Sequence, residues 1–206
     1  MSPKHLKESS VNEISPSAVR RSVSCRRAEE KDEAGSPIDL LLQENWTSRK
    51  EVIAIRQEVE WLRAKILGIS PRELEELTAA LLRALGYSTW VSPLGGDRGI
   101  DVLATPDALG LRDPRIKVQV KHRPNRRMPA PEIRELIGAL RPGDRGLCVS
   151  TGGFSREARY EAERSDIPIR LVDLDELTLL ILRHYDGFDS TGVAILPLQK
   201  IYWPVG

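Results

Sequence analysis

Gly95-Gly96-Asp97-Arg98-Gly99-Ile100-Asp101 and, further on, Ile116-Lys117-Val118-Gln119-Val120-Lys121 are the two runs whose reading decides the fold. Both are β-patterned, and a turn-rich connection joins them. Side chains in an extended strand alternate between faces. In the second run, read as a strand over 115–121, Ile116, Val118 and Val120 share one face, and Lys117, Gln119 and Lys121 share the other. In the first, read as a strand over 100–104, Ile100 and Val102 share a face and Asp101 takes the opposite one. If the strands pair, Asp101, Gln119 and Lys121 meet on one polar patch. A carboxylate, a carbonyl-type oxygen and a lysine suit a hard divalent cation and an activated water.

Outward from this stretch, helix and strand signals alternate. Ser70-Pro71-Arg72-Glu73 is a capping box with proline at the first helical position. Leu74, Leu77, Leu81 and Leu85 form the expected buried stripe, and Gly86 stops the helix. Tyr87 to Val91 is β-like. Beyond the central runs, 131–140 reads as a helix with Ile133, Leu136, Ile137 and Leu140 inward, and 146–150 as an apolar strand. Ser155 caps a helix to about Arg164, 168–172 is another strand, and Asp173-Leu174-Asp175-Glu176 caps a helix to about Tyr185. The links between the first three strands are too short for helices, which predicts an antiparallel meander. The later strands alternate with helices, which predicts crossovers. The expected fold class is therefore α/β, a mixed central β-sheet flanked by helices.

Upstream, Ser48-Arg49-Lys50-Glu51 is a capping box followed by an apolar seam of Val52, Ile55, Val59, Leu62 and Ile66. The spacing suits either packing on the main domain or pairing with a second copy, a homodimer through residues 48–66. Residues 1–37 are polar and poor in large apolar groups, so they read as a disordered tail, with Arg20, Arg21, Arg26 and Arg27 as a basic cluster. The expected division is a tail over 1–37, a helical extension over 38–69, the main domain over 70–186 and a C-terminal tail packing on it over 187–206.

Formal net charge is +1, so the overall balance does not announce a nucleic-acid partner. No apolar run is long enough for a membrane span, and the N-terminus lacks the apolar segment of a secretory signal. Cys25 and Cys148 are the only cysteines, a usage that suits the cytoplasm and gives no disulfide framework. Three scattered histidines form no metal cluster.

Several segments acquire meaning together: Leu74-Glu75, Leu85-Gly86-Tyr87, the glycine-rich run ending at Asp101, Val118-Gln119-Val120-Lys121, and Thr151-Gly152-Gly153-Phe154-Ser155. In this order they resemble the catalytic domain of Mrr-like restriction endonucleases, within the PD-(D/E)xK nuclease superfamily. The resemblance covers about residues 70–185. It implies a restriction-endonuclease-like α-β-β-β-α-β core and divalent-metal-dependent DNA cleavage, with Mg²⁺ as cofactor and Mn²⁺ as substitute. Carried over, it implies that Asp101 and Gln119 hold the metal; the Val120 carbonyl, next in the chain to Gln119, is a further neutral oxygen for it. Lys121 would stabilise charge, and Glu75 would approach from the leading helix. Leu74 stands where the family usually has an aromatic residue, and Gln119 where the wider superfamily often has an acid. Asp97 is a further candidate, or a turn residue among glycines.

Lys117, Arg123, Arg126 and Arg127 form the densest basic stretch, suited to backbone phosphates of DNA. Thr151 and Ser155 offer hydroxyls at a helix N-terminus. No base-reading helix is apparent, so sequence specificity does not follow. The expectation is a restriction-type, antiviral DNA endonuclease of the type IV kind. The alternatives are a non-catalytic DNA-binding or assembly module on the same fold, and a repair or junction nuclease.

Overall fold

The computed structural model describes residues 49–93 and 99–199, with side chains from 56 onward. Asp97, the glycines at 95 and 96, the basic cluster of the tail and the Ser48 cap lie outside these residues. The elements run α1 (Arg49–Gly68), α2 (Pro71–Ala84), β1 (Ser88–Val91), β2 (Val102–Thr105), β3 (Ile116–Lys121), α3 (Ala130–Ala139), β4 (Arg145–Ser150), α4 (Arg156–Glu163), β5 (Ile169–Asp173), α5 (Leu174–His184), a 3₁₀ turn (Tyr185–Gly187) and α6 (Ser190–Ile195).

The sheet has five strands in sequence order. β1, β2 and β3 form an antiparallel meander. β4 runs parallel to β3, and β5 parallel to β4. Helices cover the sheet, α2 packing on β1, β2 and β3 and α5 on β4 and β5. On the opposite face Ile133, Leu136 and Leu140 meet Cys148, Phe154, Ala158 and Ala162 in a second core. The mixed sheet flanked by helices is the architecture that the alternation of strand and helix signals predicts.

Local chemistry fixes the helix starts. Ser70 Oγ accepts the Glu73 N–H, and the Glu73 carboxylate accepts the Ser70 N–H, so two orphan donors are satisfied reciprocally. Ser155 caps α4 through the Ala158 N–H, and Asp173 caps α5 through the Glu176 N–H. Within α2, Leu74, Leu77 and Leu81 are buried. Leu85 departs from the expected stripe: it is the C-cap, the helix ends before it, and it is exposed.

Val59, Leu62 and Ile66 of α1 are buried, and α1 packs against α5, with an Arg63–Asp175 ion pair at 3.0 Å. This part of the seam is spent on its own chain and is not a face for a second copy. α6 packs on α2: a Cβ at Gly192 would stand 2.8 Å from Ala80 Cβ and 2.6 Å from the Phe188 ring. Among the described residues no helix is long and apolar enough to cross a membrane.

Candidate active site

β3 pairs regularly with β2 up to Val102↔Val118. One step further, Asp101 donates its N–H to the Val118 carbonyl at 2.8 Å. Its side chain then turns along the free edge of β3, and Oδ2 accepts the Val120 N–H at 2.6 Å. Backbone groups of one strand residue point to the same edge. The Val120 carbonyl therefore leaves β3 on the side that Asp101 occupies.

Gln119 lies in register with Cys148 of β4, on the face of the α3–α4 core. It is 3% exposed, so this part of the polar patch is covered. Gly99 contributes to the cover: its φ is +79°, and a Cβ there would stand 3.1 Å from Gln119 Nε2. A side chain at 99 would be strained and would crowd the amide. Gln119 Oε1 is buried with no hydrogen-bond partner among the described residues. Such an acceptor costs on the order of 1–3 kcal/mol until a donor or cation reaches it.

Burial raises the Asp101 carboxyl above its ordinary pKa. The Val120 N–H and the charges of Lys121 and Arg72 oppose that shift. Burial also raises the Glu75 carboxyl, with the Asp101 charge adding to it and Arg72 opposing. The Asp101 charge thus reaches Glu75 on α2. Lys121 closes β3, and its ammonium makes no hydrogen bond or ion pair among the described residues. Cys148, beside Gln119 on the neighbouring strand, has its thiol pushed up to about 12 by burial and is a core residue. No three His, Cys, Asp or Glu side chains converge as a metal-ligand group among the described residues. Oxygens of the kind a hard cation takes are the Asp101 carboxylate and the Val120 carbonyl at one edge of β3 and the buried Gln119 Oε1 of the adjacent residue. This hard, all-oxygen set with one unsatisfied acceptor fits a divalent cation of the Mg²⁺ type.

The basic residues divide. Lys117 donates to Asp144 at 2.9 Å and to the Ala139 carbonyl at 2.6 Å, at the end of β3 remote from Lys121. Its charge is neutralised inside the fold, which removes it from the expected phosphate contacts. Thr151 is also taken: its hydroxyl accepts the Arg123 N–H at 2.9 Å and bonds His122 Nδ1 at 3.1 Å, while His122 Nε2 reaches the Ile69 carbonyl at 2.8 Å. Ser155 is a helix cap. Arg123 pairs with Glu132 at 2.7 Å. The loop it opens is pressed onto Gly152, where a Cβ would lie 2.3 Å from the carbonyl oxygens of Arg123 and Arg126. Arg126 and Arg127 are exposed on this loop, and their side chains have no ion pair among the described residues.

Two residues stand out that the sequence reading missed. Arg72 bonds Glu75, and its position one turn earlier on the same helix face is a signal that sequence carries. Glu132 carries a second buried oxygen, Oε2, with no partner among the described residues, and its charge reaches Cys148.

Comparison with known proteins agrees with this architecture. The family profile Mrr_cat, restriction endonuclease, matches residues 66–181. The DNA modification-dependent restriction endonuclease AspBHI superposes with a TM-score of 0.52 at 16% identity, over 92% of this chain and 50% of that one. MspJI restriction endonuclease, solved in complex with a 27-mer oligonucleotide, gives 0.45 at 19% identity over 83% of this chain and 40% of that one. The protein of unknown function AF1548 gives 0.46 at 19% identity over 64% of this chain and 73% of that one. The chain thus spans half or less of the two restriction endonucleases. No curated protein matches it.

Proposed function

The chain belongs to the Mrr_cat restriction endonuclease family, and on that premise we propose that it is a DNA endonuclease of restriction type, acting against foreign DNA with a divalent cation, Mg²⁺ or Mn²⁺. The observation that carries the reading is a buried Gln119 Oε1 with no donor among the described residues, next in the chain to Val120, whose N–H holds the half-buried Asp101 carboxylate at the open edge of β3.

Asp101, Gln119 Oε1 and the Val120 carbonyl would hold the cation. When bound, it supplies charge neutralisation at the phosphate and a more acidic water. Asp101 brings the negative charge that Gln119 lacks, and the Val120 N–H keeps that carboxylate oriented. Lys121 holds its ammonium free for the negative charge that develops on the attacked phosphate. Glu75, electrostatically coupled to Asp101, orients the water. Asp97, outside the described residues, adds a second acid to the same run. Arg126 and Arg127 contact backbone phosphates beside the cleavage point. We assign the matched residues 66–181 to this chemistry.

Plasmid, methylated and branched DNA incubated with the purified chain and either Mg²⁺ or Mn²⁺ provide the test. Cleavage that needs the added cation and stops with chelator is the expected result. Cleavage indifferent to chelator, or none on any of the three substrates with either ion, contradicts the proposal. Preference for branched DNA would move the reading to a junction nuclease.

A further inference from the structure

Resting on the reading of the Asp101 end as the reaction centre, we propose that Arg72 is the residue that positions this centre. Its guanidinium holds the Glu75 carboxylate and the backbone leading to Asp101 in one frame. Arg72 stands in the first turn of α2. Nη1 donates to Glu75 Oε2 at 2.9 Å and to the Ser92 carbonyl at 2.6 Å, while Nη2 donates to Glu76 Oε1 at 3.1 Å. Ser92, just beyond β1, donates its own N–H to the Asp101 carbonyl at 2.9 Å. The path from guanidinium to Asp101 therefore passes through a single residue. Both carboxylates of the centre feel its charge, which opposes the burial that raises each of them and the Asp101 charge that further raises Glu75.

A helix pair three residues apart has little effect on stability by itself, because solvent screens it. The Ser92 carbonyl makes this case different. It lies 20 residues away in sequence and belongs to another layer of the fold. One planar fork serving two carboxylates and a carbonyl has a geometry that a lysine ammonium does not reproduce. The role so defined is placement, and Arg72 is a positioning residue acting through Glu75 and Asp101.

Hydrogen exchange on the metal-free protein tests the placement directly. Arg72→Ala is expected to speed exchange of the Ser92 and Asp101 amides by about tenfold or more, leaving the Cys148 and Val149 amides of β4 unchanged. In cleavage assays it is expected to lower kcat about tenfold or more, with KM for DNA changed less than about threefold. Arg72→Lys is not expected to restore kcat. In a Glu75→Ala background, adding Arg72→Ala is expected to lower kcat by clearly less than it does in the wild type, since part of its effect runs through Glu75. Unchanged exchange at both amides overturns the proposal. So do effects of the two substitutions that simply multiply, or an Arg72→Ala effect confined to KM, which marks a phosphate contact. Full cleavage by Glu75→Ala alone would instead sink the assignment of the centre, while the exchange result still decides the placement.

Discussion

Lys117 and Lys121 stand on the same strand and the same face, and the fold treats them in opposite ways. Lys117, at the start of β3, is tied to Asp144 and to the last carbonyl of α3. It caps a helix C-terminus and neutralises a buried acid. Lys121, at the end of β3, keeps its ammonium free of hydrogen bonds and ion pairs among the described residues. Around it, Asp101 and Glu75 are raised by burial, and Gln119 Oε1 lacks a donor. One end of the strand is electrostatically satisfied and holds the structure together. The other end gathers two raised carboxyls, a free ammonium and a buried acceptor without a donor among the described residues, which the proposed cation and phosphate would use.

The comparison breaks most visibly at the unsatisfied end. Lys121→Ala should lower the cleavage rate by about 10²–10⁴-fold, the scale of losing a charge that stabilises the transition state, with thermal stability nearly unchanged. The mirror substitution, Lys117→Ala, should leave kcat within about threefold but cost about 2 kcal/mol in urea unfolding, because Asp144 loses its cation and the Ala139 carbonyl its donor. If both substitutions affected the same property, the two ends would not be the different regions described.

A subtler contrast concerns pH. A carboxyl whose folded pKa lies above its unfolded value, 3.8 for Asp101 and 4.5 for Glu75, contributes stability fully present below that value. The contribution is lost as pH rises through the raised folded pKa. Asp101→Asn and Glu75→Gln should therefore raise the Tm of the metal-free protein at neutral pH, by about 2–4 °C. Scanning calorimetry below about pH 4 should find the gain gone. A gain independent of pH would contradict the electrostatic account. The smallest effect belongs to the loop held against Gly152. Arg126→Ala and Arg127→Ala should each reduce the slope of log affinity against log salt for duplex DNA by about 1. Lys117→Ala should leave that slope unchanged.

Much of the fold is legible in the sequence because local signals agree with one another. The capping box at Ser70, the N-cap at Asp173 and the alternation in β3 each depend on neighbours in the chain, and the structure has them nearly where the residues predict. The meeting of Asp101 with β3 follows from the same alternation. Alternation cannot tell a solvated polar face from a covered one. Gln119 is buried because Gly99 lets the chain close near its amide, and because α3 and α4 pack over the same face. Thr151 and Lys117 read as surface donors for the same reason. Their partners, His122 with Arg123 for one and Asp144 for the other, are distant in sequence or set by a loop. Arg72 was half legible: its bond to Glu75 follows from helix spacing, but its bond to Ser92 exists only once β1 lies beside α2.

The central claim is that the unsatisfied end of β3 is a divalent-cation-dependent nuclease centre built on Asp101. It is tested most directly by plasmid cleavage under a magnesium titration, wild type beside Asp101→Ala, with folding of both verified by circular dichroism. The account predicts saturable, magnesium-dependent cutting by the wild type and a loss of about 10²-fold or more in the variant at every concentration. A folded Asp101→Ala protein that cuts at the wild-type rate with the same magnesium dependence would contradict it.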